Sequence, residues 1–173
     1  MADTLFETQR LLFRPMEESD YEDCSRLVLE DSIFYWLGNE TLSRSAAQKA
    51  WREMNEPGIF NVIMVLKESG AFCGRICMQN TAAPLPELGV AFLGQYRGNG
   101  LGPEAIRAFA NWYGSAHGLS RLRVFISPEN PHSLHVFSKL GALPQTAPTP
   151  PQHEDSPSRP NREPLEFILP PPL

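Results

Sequence analysis

Hydrophobic and polar positions change period several times along this chain, and each change predicts an element. Residues 8–16 alternate, with Pro15 at the end of the run, and predict a first strand. Ser19-x-x-Glu22 has the spacing of a capping box, and Tyr21, Cys24, Leu27 and Val28 follow at helical spacing, which predicts a helix from about Asp20 to Glu30. After an irregular stretch, Ala47, Ala50, Trp51 and Met54 mark a second helix that stops before Pro57-Gly58, with Ser45 as its candidate cap. Residues 60–66 and 71–79 read as strands joined through Lys67-Glu68-Ser69-Gly70, a hairpin. Pro84-Leu85-Pro86 opens a further strand, residues 87–93, with Leu88, Val90 and Phe92 on one face and Glu87, Gly89 and Ala91 on the other. From Pro103 a helical stripe runs through Ile106, Phe109, Ala110 and Tyr113 and closes near Gly118. Residues 122–127 form a short buried strand, 134–140 a helix ended by Gly141, and 165–169 a last strand.

An antiparallel run followed by a βαβ crossover excludes a simple doubly wound sheet. It predicts an α/β protein with a mixed sheet and helices on both faces. Composition shifts at Pro144, and from there to Leu173 the chain holds ten of its seventeen prolines. Proline supplies no ladder donor, so residues 144–164 are expected to be an exposed loop, after which 165–173 return to the sheet. The domain core is then residues 1–143.

Charge narrows the partners. A formal net charge of −5 over 173 residues does not favour nucleic acid, and an amine substrate suits it better. No apolar run reaches the ~18 residues of a membrane span, and the start of the chain is acidic, so a cytoplasmic protein is expected. Cys73 and Cys77, four apart on one predicted strand, should share a face at a separation too long for a disulfide; together with Cys24 they read as free thiols. The four histidines form no ligand spacing with them, and no metal is expected. Trp51 and Trp112 can be mistaken for a ligand box, but Trp51 lies on an apolar helical stripe and reads as core; Trp36, in the irregular stretch, is the better pocket candidate.

Arg97-Gly98-Asn99-Gly100-Leu101-Gly102 follows the strand at 87–93 and precedes a helix. Three glycines in five positions let backbone amides converge, and the helix dipole adds positive potential, so an anion is the natural ligand. The spacing is neither the dinucleotide G-x-G-x-x-G nor the P-loop G-K-[ST]. It resembles the R-x-x-G-x-G loop of the GNAT superfamily of acyl-CoA-dependent N-acyltransferases. Further segments carry the same resemblance: residues 8–15 (TQRLLFRP), Glu87-Leu88-Gly89, and Asn130-x-x-Ser133-x-x-Val136-Phe137-x-Lys139-Leu140-Gly141-Ala142. All are similar to the branch that acetylates ribosomal-protein N-termini.

The resemblance implies acetyl-CoA as acyl donor, with its diphosphate on Arg97, Gly98, Asn99, Gly100, Leu101 and Gly102. Its pantetheine arm would lie on backbone groups of Val90, Ala91 and Phe92, pairing as an extra strand, with Asn130 also in contact. Glu87 is implied as general base toward the ammonium of the acceptor, a small-molecule amine or a protein N-terminus. Ser133 is the candidate donor to the departing thiolate, because Phe137 stands where many relatives carry Tyr and cannot donate. The implied protein is a monomer or homodimer. The rival reading is a non-catalytic acyl-CoA-binding or interaction module that docks through its proline-rich tail.

Overall fold

The computed structural model describes residues 3–30, 44–145 and 164–173. Trp36 and most of the proline-rich segment therefore lie outside the described residues. Among the described residues eight strands form a single mixed sheet: β1 (Phe6–Glu7), β2 (Leu11–Pro15), β3 (Phe60–Leu66), β4 (Phe72–Gln79), β5 (Glu87–Phe92), β6 (Leu122–Ile126), β7 (Leu143–Pro144) and β8 (Leu165–Leu169). Their order is β1-β2-β3-β4-β5-β6-β8-β7, antiparallel except where β5 meets β6. α1 (Tyr21–Leu29) and α2 (Arg44–Met54) cover one face; α3 (Leu101–His117) and α4 (Pro131–Lys139) cover the other.

Strand period 2 delivers alternate side chains to two cores. Leu88, with Val90 and Phe92 at its flank, joins Phe13, Met64, Ile76 and Phe109 beneath α3 and α4. Ala91 and Leu93 turn the other way, onto Leu27, Ala50 and Met54 of α1 and α2. Trp51 packs edge-on against Tyr21 in this second core, as the helical stripe predicts, and Trp112 stacks on Phe6 with ring centroids 4.9 Å apart. No helix among the described residues is long and apolar enough to cross a membrane.

Several boundaries differ from the sequence expectation for physical reasons. The strand expected over residues 8–16 is shortened to β2, because the Thr8 hydroxyl accepts from the Leu11 amide and makes a turn, and a two-residue strand, β1, precedes that turn. Ser19 and Glu22 do not form a capping box for α1: a 3-10 turn, Glu18–Asp20, leads into the helix, and the capping box belongs to that turn, the Asp20 carboxylate accepting from the Glu17 amide at 2.8 Å. Ser45 lies inside α2 rather than before it. α4 begins at Pro131, three residues before the apolar periodicity starts, because Asn130 caps it by accepting from the Ser133 amide at 2.9 Å. Cys73 and Cys77 do not share a face. A bulge in β4, where Cys73 is the extra residue opposite the Met64–Val65 step of β3, sends Cys73 into the α3-side core, whereas the Cys77 sulfur lies against Gly89 on the other side. All three cysteines are free and buried, and burial pushes the Cys24 and Cys73 thiols up to about 12.

The end of the chain returns to the sheet as residues 165–169 predict. β8 pairs with β6 over five residue pairs, and a two-residue strand that was not expected, Leu143–Pro144, pairs on the outer side of β8. Beyond β8 the tail is fastened to α3, Leu173 exchanging backbone hydrogen bonds with the Asn111 side chain at 2.7 and 3.2 Å.

Candidate active site

β5 and β6 share one ladder position, Glu87 opposite Arg123. On its other edge β5 stays paired with β4 through six positions, from Gln79 opposite Glu87 to Gly74 opposite Phe92. The sheet therefore parts along β5 into a V whose apex is Glu87. Direction of the backbone groups follows from the alternation. Pro86 accepts from the Arg123 amide across the apex, and Leu93 donates back to Cys73, so even-numbered residues of β5 face β6 and odd-numbered ones face β4. Val90 thus presents its amide and carbonyl to the gap, where no β6 partner is in register among the described residues. Ala91 does not: a Cβ on Gly74 of β4 would collide with the Ala91 carbonyl oxygen, which shows that this group is turned to β4. The Phe92 carbonyl faces the gap but accepts from Arg97, at 3.0 Å from Nε and 2.8 Å from Nη2.

The glycine loop sits at the open end of the V. Gly98 and Gly100 take φ of 77° and 75°, a left-handed conformation that glycine adopts without the steric cost a side chain brings. α3 starts at Leu101, two residues earlier than the stripe alone suggests, which puts Pro103 in its first turn. Among the described residues, the amides of Gly98, Asn99, Gly100, Leu101 and Gly102 have no hydrogen-bond partner within the protein; Glu104 is the next to bond, to the Gly100 carbonyl at 3.4 Å. Five free donors around a helix N-terminus make a concave positive surface matched to phosphate oxygens.

Two contacts to this loop were not legible in the sequence. Arg10, in the turn between β1 and β2, donates from Nη1 to the Asn99 carbonyl at 2.7 Å. Glu104, in the first turn of α3, accepts from Arg10 Nε at 2.7 Å, from the Arg10 amide at 3.0 Å and from the Thr8 hydroxyl at 2.6 Å. Burial alone would raise the Glu104 pKa, but the hydrogen bonds from Thr8 and Arg10 outweigh it and hold the carboxyl below its ordinary value. Thr8 and Arg10 belong to the segment whose family likeness is plain, yet nothing local says that their partner is 96 and 94 residues away.

Catalytic candidates lie around the gap. Glu87 is half-buried at the apex, on the sheet face that carries Gly89 and Ala91. Beside it in register is Arg123, whose Nε donates to the buried Glu166 at 2.8 Å. Ser133 is half-buried in the first turn of α4; its amide is taken by Asn130, and its hydroxyl has no partner among the described residues. Asn130 spends its side-chain oxygen on that cap, which leaves its NH₂ as the donor available to a ligand. Phe137 is buried in the core below α4. Among the described residues no group of three or more His, Cys, Asp or Glu is placed to hold a metal ion.

Residues 10–143 match the family model of the acetyltransferase (GNAT) domain, a span that includes the V, the loop and both catalytic candidates. The chain belongs to the GNAT acetyltransferase family. GNAT acetyltransferases use acetyl-CoA, and the chain is accordingly an acyltransferase. Solved structures share the fold over nearly the whole length. An acetyltransferase from Agrobacterium tumefaciens superposes with a TM-score of 0.71 at 22% identity, covering 97% of this chain and 94% of that one. Spermidine N-acetyltransferase from Vibrio cholerae, in complex with CoA and spermine, gives 0.71 at 12% identity over 93% and 94%. A Vibrio cholerae protein provisionally assigned as a ribosomal-protein-serine acetyltransferase gives 0.71 at 20% identity over 95% and 96%. No protein of curated function matches in sequence.

Proposed function

We propose that this acetyltransferase transfers acetyl directly from acetyl-CoA to a primary amine, with both substrates bound at once, and that the acceptor is a protein N-terminus or a small amine. The V at β5 is the observation that carries this reading, because it leaves Val90 able to pair with an amide-bearing pantetheine arm while the loop amides take the diphosphate. The thioester then lies near the apex, where the Val90 amide is positioned as donor to the carbonyl oxygen. Glu87 takes the proton of the acceptor ammonium, the free amine attacks the thioester carbonyl carbon, a C–N bond forms and the C–S bond breaks. Family likeness of residues 8–15 and the provisionally assigned Vibrio protein support an N-terminal acceptor; the spermidine enzyme supports a small amine. The test is release of free thiol from acetyl-CoA over a panel of N-terminal peptides and polyamines. Intersecting initial-rate lines are expected, as a ternary complex requires; parallel lines exclude direct transfer. Binding of CoA without thiol release on any amine favours a non-catalytic module instead.

Ser133 is proposed as the proton donor to the departing thiolate. A thiolate with a pKa near ~8.5 leaves tolerably well unaided, so Ser133→Ala is expected to lower kcat by about tenfold or less. Its kcat should recover when a donor ester of a more acidic thiol replaces acetyl-CoA. Unchanged kcat with acetyl-CoA removes Ser133 from the reaction and leaves it as a helix-turn residue.

A further inference from the structure

Two arginines lie at the glycine loop, and the structure gives them different occupations. Arg97 opens the loop in sequence, but its guanidinium is turned back onto the Phe92 carbonyl at 3.0 and 2.8 Å and reaches Glu30 at 3.5 Å. Glu30 in turn accepts from the Gly94 amide at 2.6 Å. Arg97 is thereby tied to the end of β5 and to the end of α1. Arg10 comes from the far edge of the sheet. Its guanidinium is 43% exposed, bonds the Asn99 carbonyl, and would stand 3.5 Å from a Cβ placed on Gly100, beside the unpartnered amides. Glu104, 19% exposed, grips it in a two-point ion pair at 2.6 and 2.7 Å and is itself fixed by Thr8.

We propose that Arg10, not Arg97, is the cation that works with the Gly98–Gly102 amides on the diphosphate of the acyl donor, that Glu104 and Thr8 position it, and that Arg97 positions the end of β5. This rests on the reading of the loop as the diphosphate site. The physics favours the assignment. An arginine held by a carboxylate on one edge keeps its remaining N–H groups for a phosphate oxygen and is already ordered when the ligand arrives. Its bond to the Asn99 carbonyl also turns that peptide so that neighbouring amides point outward. Arg97 has spent donors on a strand carbonyl that faces the gap, so its loss should disturb the edge used by the arm rather than the phosphates.

Donors of different length separate the roles. With acetyl-CoA, Arg10→Met is expected to raise KM ten- to a hundredfold, the order of one lost charge-assisted bond. With dephospho-acetyl-CoA, which keeps the diphosphate, the same rise is expected. With S-acetyl-pantetheine, which has no phosphate, Arg10→Met should match wild type. Glu104→Gln should show the same donor selectivity at smaller size, and Arg10→Lys should restore part of the loss. Arg97→Met should lower kcat alike with all three donors. An equal KM rise on S-acetyl-pantetheine, no rise on acetyl-CoA, or a diphosphate-selective loss in Arg97→Met overturns the proposal. Wild-type protein that releases thiol from none of the donors defeats the reading of function instead. Should Arg10→Met fail to fold, Thr8→Ala and Arg10→Lys carry the same donor comparison.

Discussion

Replacing Glu87 with Gln should lower kcat about a hundredfold or more while leaving KM for acetyl-CoA unchanged, the former being what a positioned general base typically contributes. The split follows from where Glu87 stands. It is the first residue of β5, opposite Gln79 on β4 and Arg123 on β6, at the one point where the two halves of the sheet still touch. In the proposed arrangement donor binding falls to the Val90 backbone and the loop amides further along, none of which the substitution alters. Glutamine keeps the shape of the side chain but replaces one carboxylate oxygen by an NH₂ donor, removes the charge and cannot take up the proton. The acceptor must then lose its proton to water, so the rate of the variant should climb with pH in step with the free-amine fraction and approach wild type under alkaline conditions. A steady-state pH profile of both proteins measures this. Unchanged kcat across that profile removes Glu87 from the chemistry.

The register neighbours of Glu87 tie the apex to the end of the chain. Arg123 is directly across the strand pair, and its guanidinium is held by Glu166, a buried residue of β8. Glu166 thus orders the Arg123 side chain at the ladder position paired with Glu87, so the chain end beyond the proline-rich segment is part of the site's support. That role for residues 165–169 is invisible in composition. Sequence shows only that they are apolar enough to return to the sheet.

Legibility followed the range of the interaction. Among the described residues local periodicity places every long strand and helix, and G-x-G-x-G before a helix marks the loop, because turn chemistry and amphipathic period depend on residues within one or two turns of each other. The site's fastenings depend on side chains far apart in sequence. Arg10 and Glu104 meet only because α3 crosses behind β1 and β2, and Arg97 meets Glu30 across 67 positions. An arginine at the start of a phosphate loop invites assignment to the phosphate; the nearby unsatisfied carbonyl of Phe92 competes for it, and that carbonyl is unsatisfied only because β6 diverges. The Cys73 face was misjudged for a related reason. A single bulged residue inverts the alternation on which every face assignment rests.

Replacing Arg14 with Met should destabilise the fold by about 3 kcal/mol near neutral pH, the lower end of the cost of leaving one member of a buried ion pair uncompensated. Arg14 on β2 bonds Asp20 through both terminal nitrogens, at 2.6 and 2.8 Å, and the side chains are 21% and 5% exposed. Asp20 also accepts from the Glu17 amide, so the pair fixes the turn that aims α1 along the sheet face bearing Glu87. Burial raises the Asp20 pKa, but the Arg14 hydrogen bonds, the Glu17 amide and the Arg14 charge together hold it below its ordinary value. A carboxyl whose pKa is lower in the folded than in the unfolded chain gives its full stabilisation above the unfolded value and loses it as pH falls through the folded one. In Arg14→Met the burial contribution is opposed only by the Glu17 amide, so Asp20 protonates more readily and its penalty shrinks on acidification. The two proteins should therefore differ most in denaturation midpoint at about pH 7 and converge toward about pH 3. Glu104 is also held low and weakens both proteins over the same range, which makes the difference between them, rather than either curve, the quantity to read. Arg14→Met combined with Asp20→Asn should recover part of the lost stability at neutral pH, because the stranded charge is gone. A gap that stays constant with pH shows that Arg14 stabilises through its aliphatic stem and not through its charge.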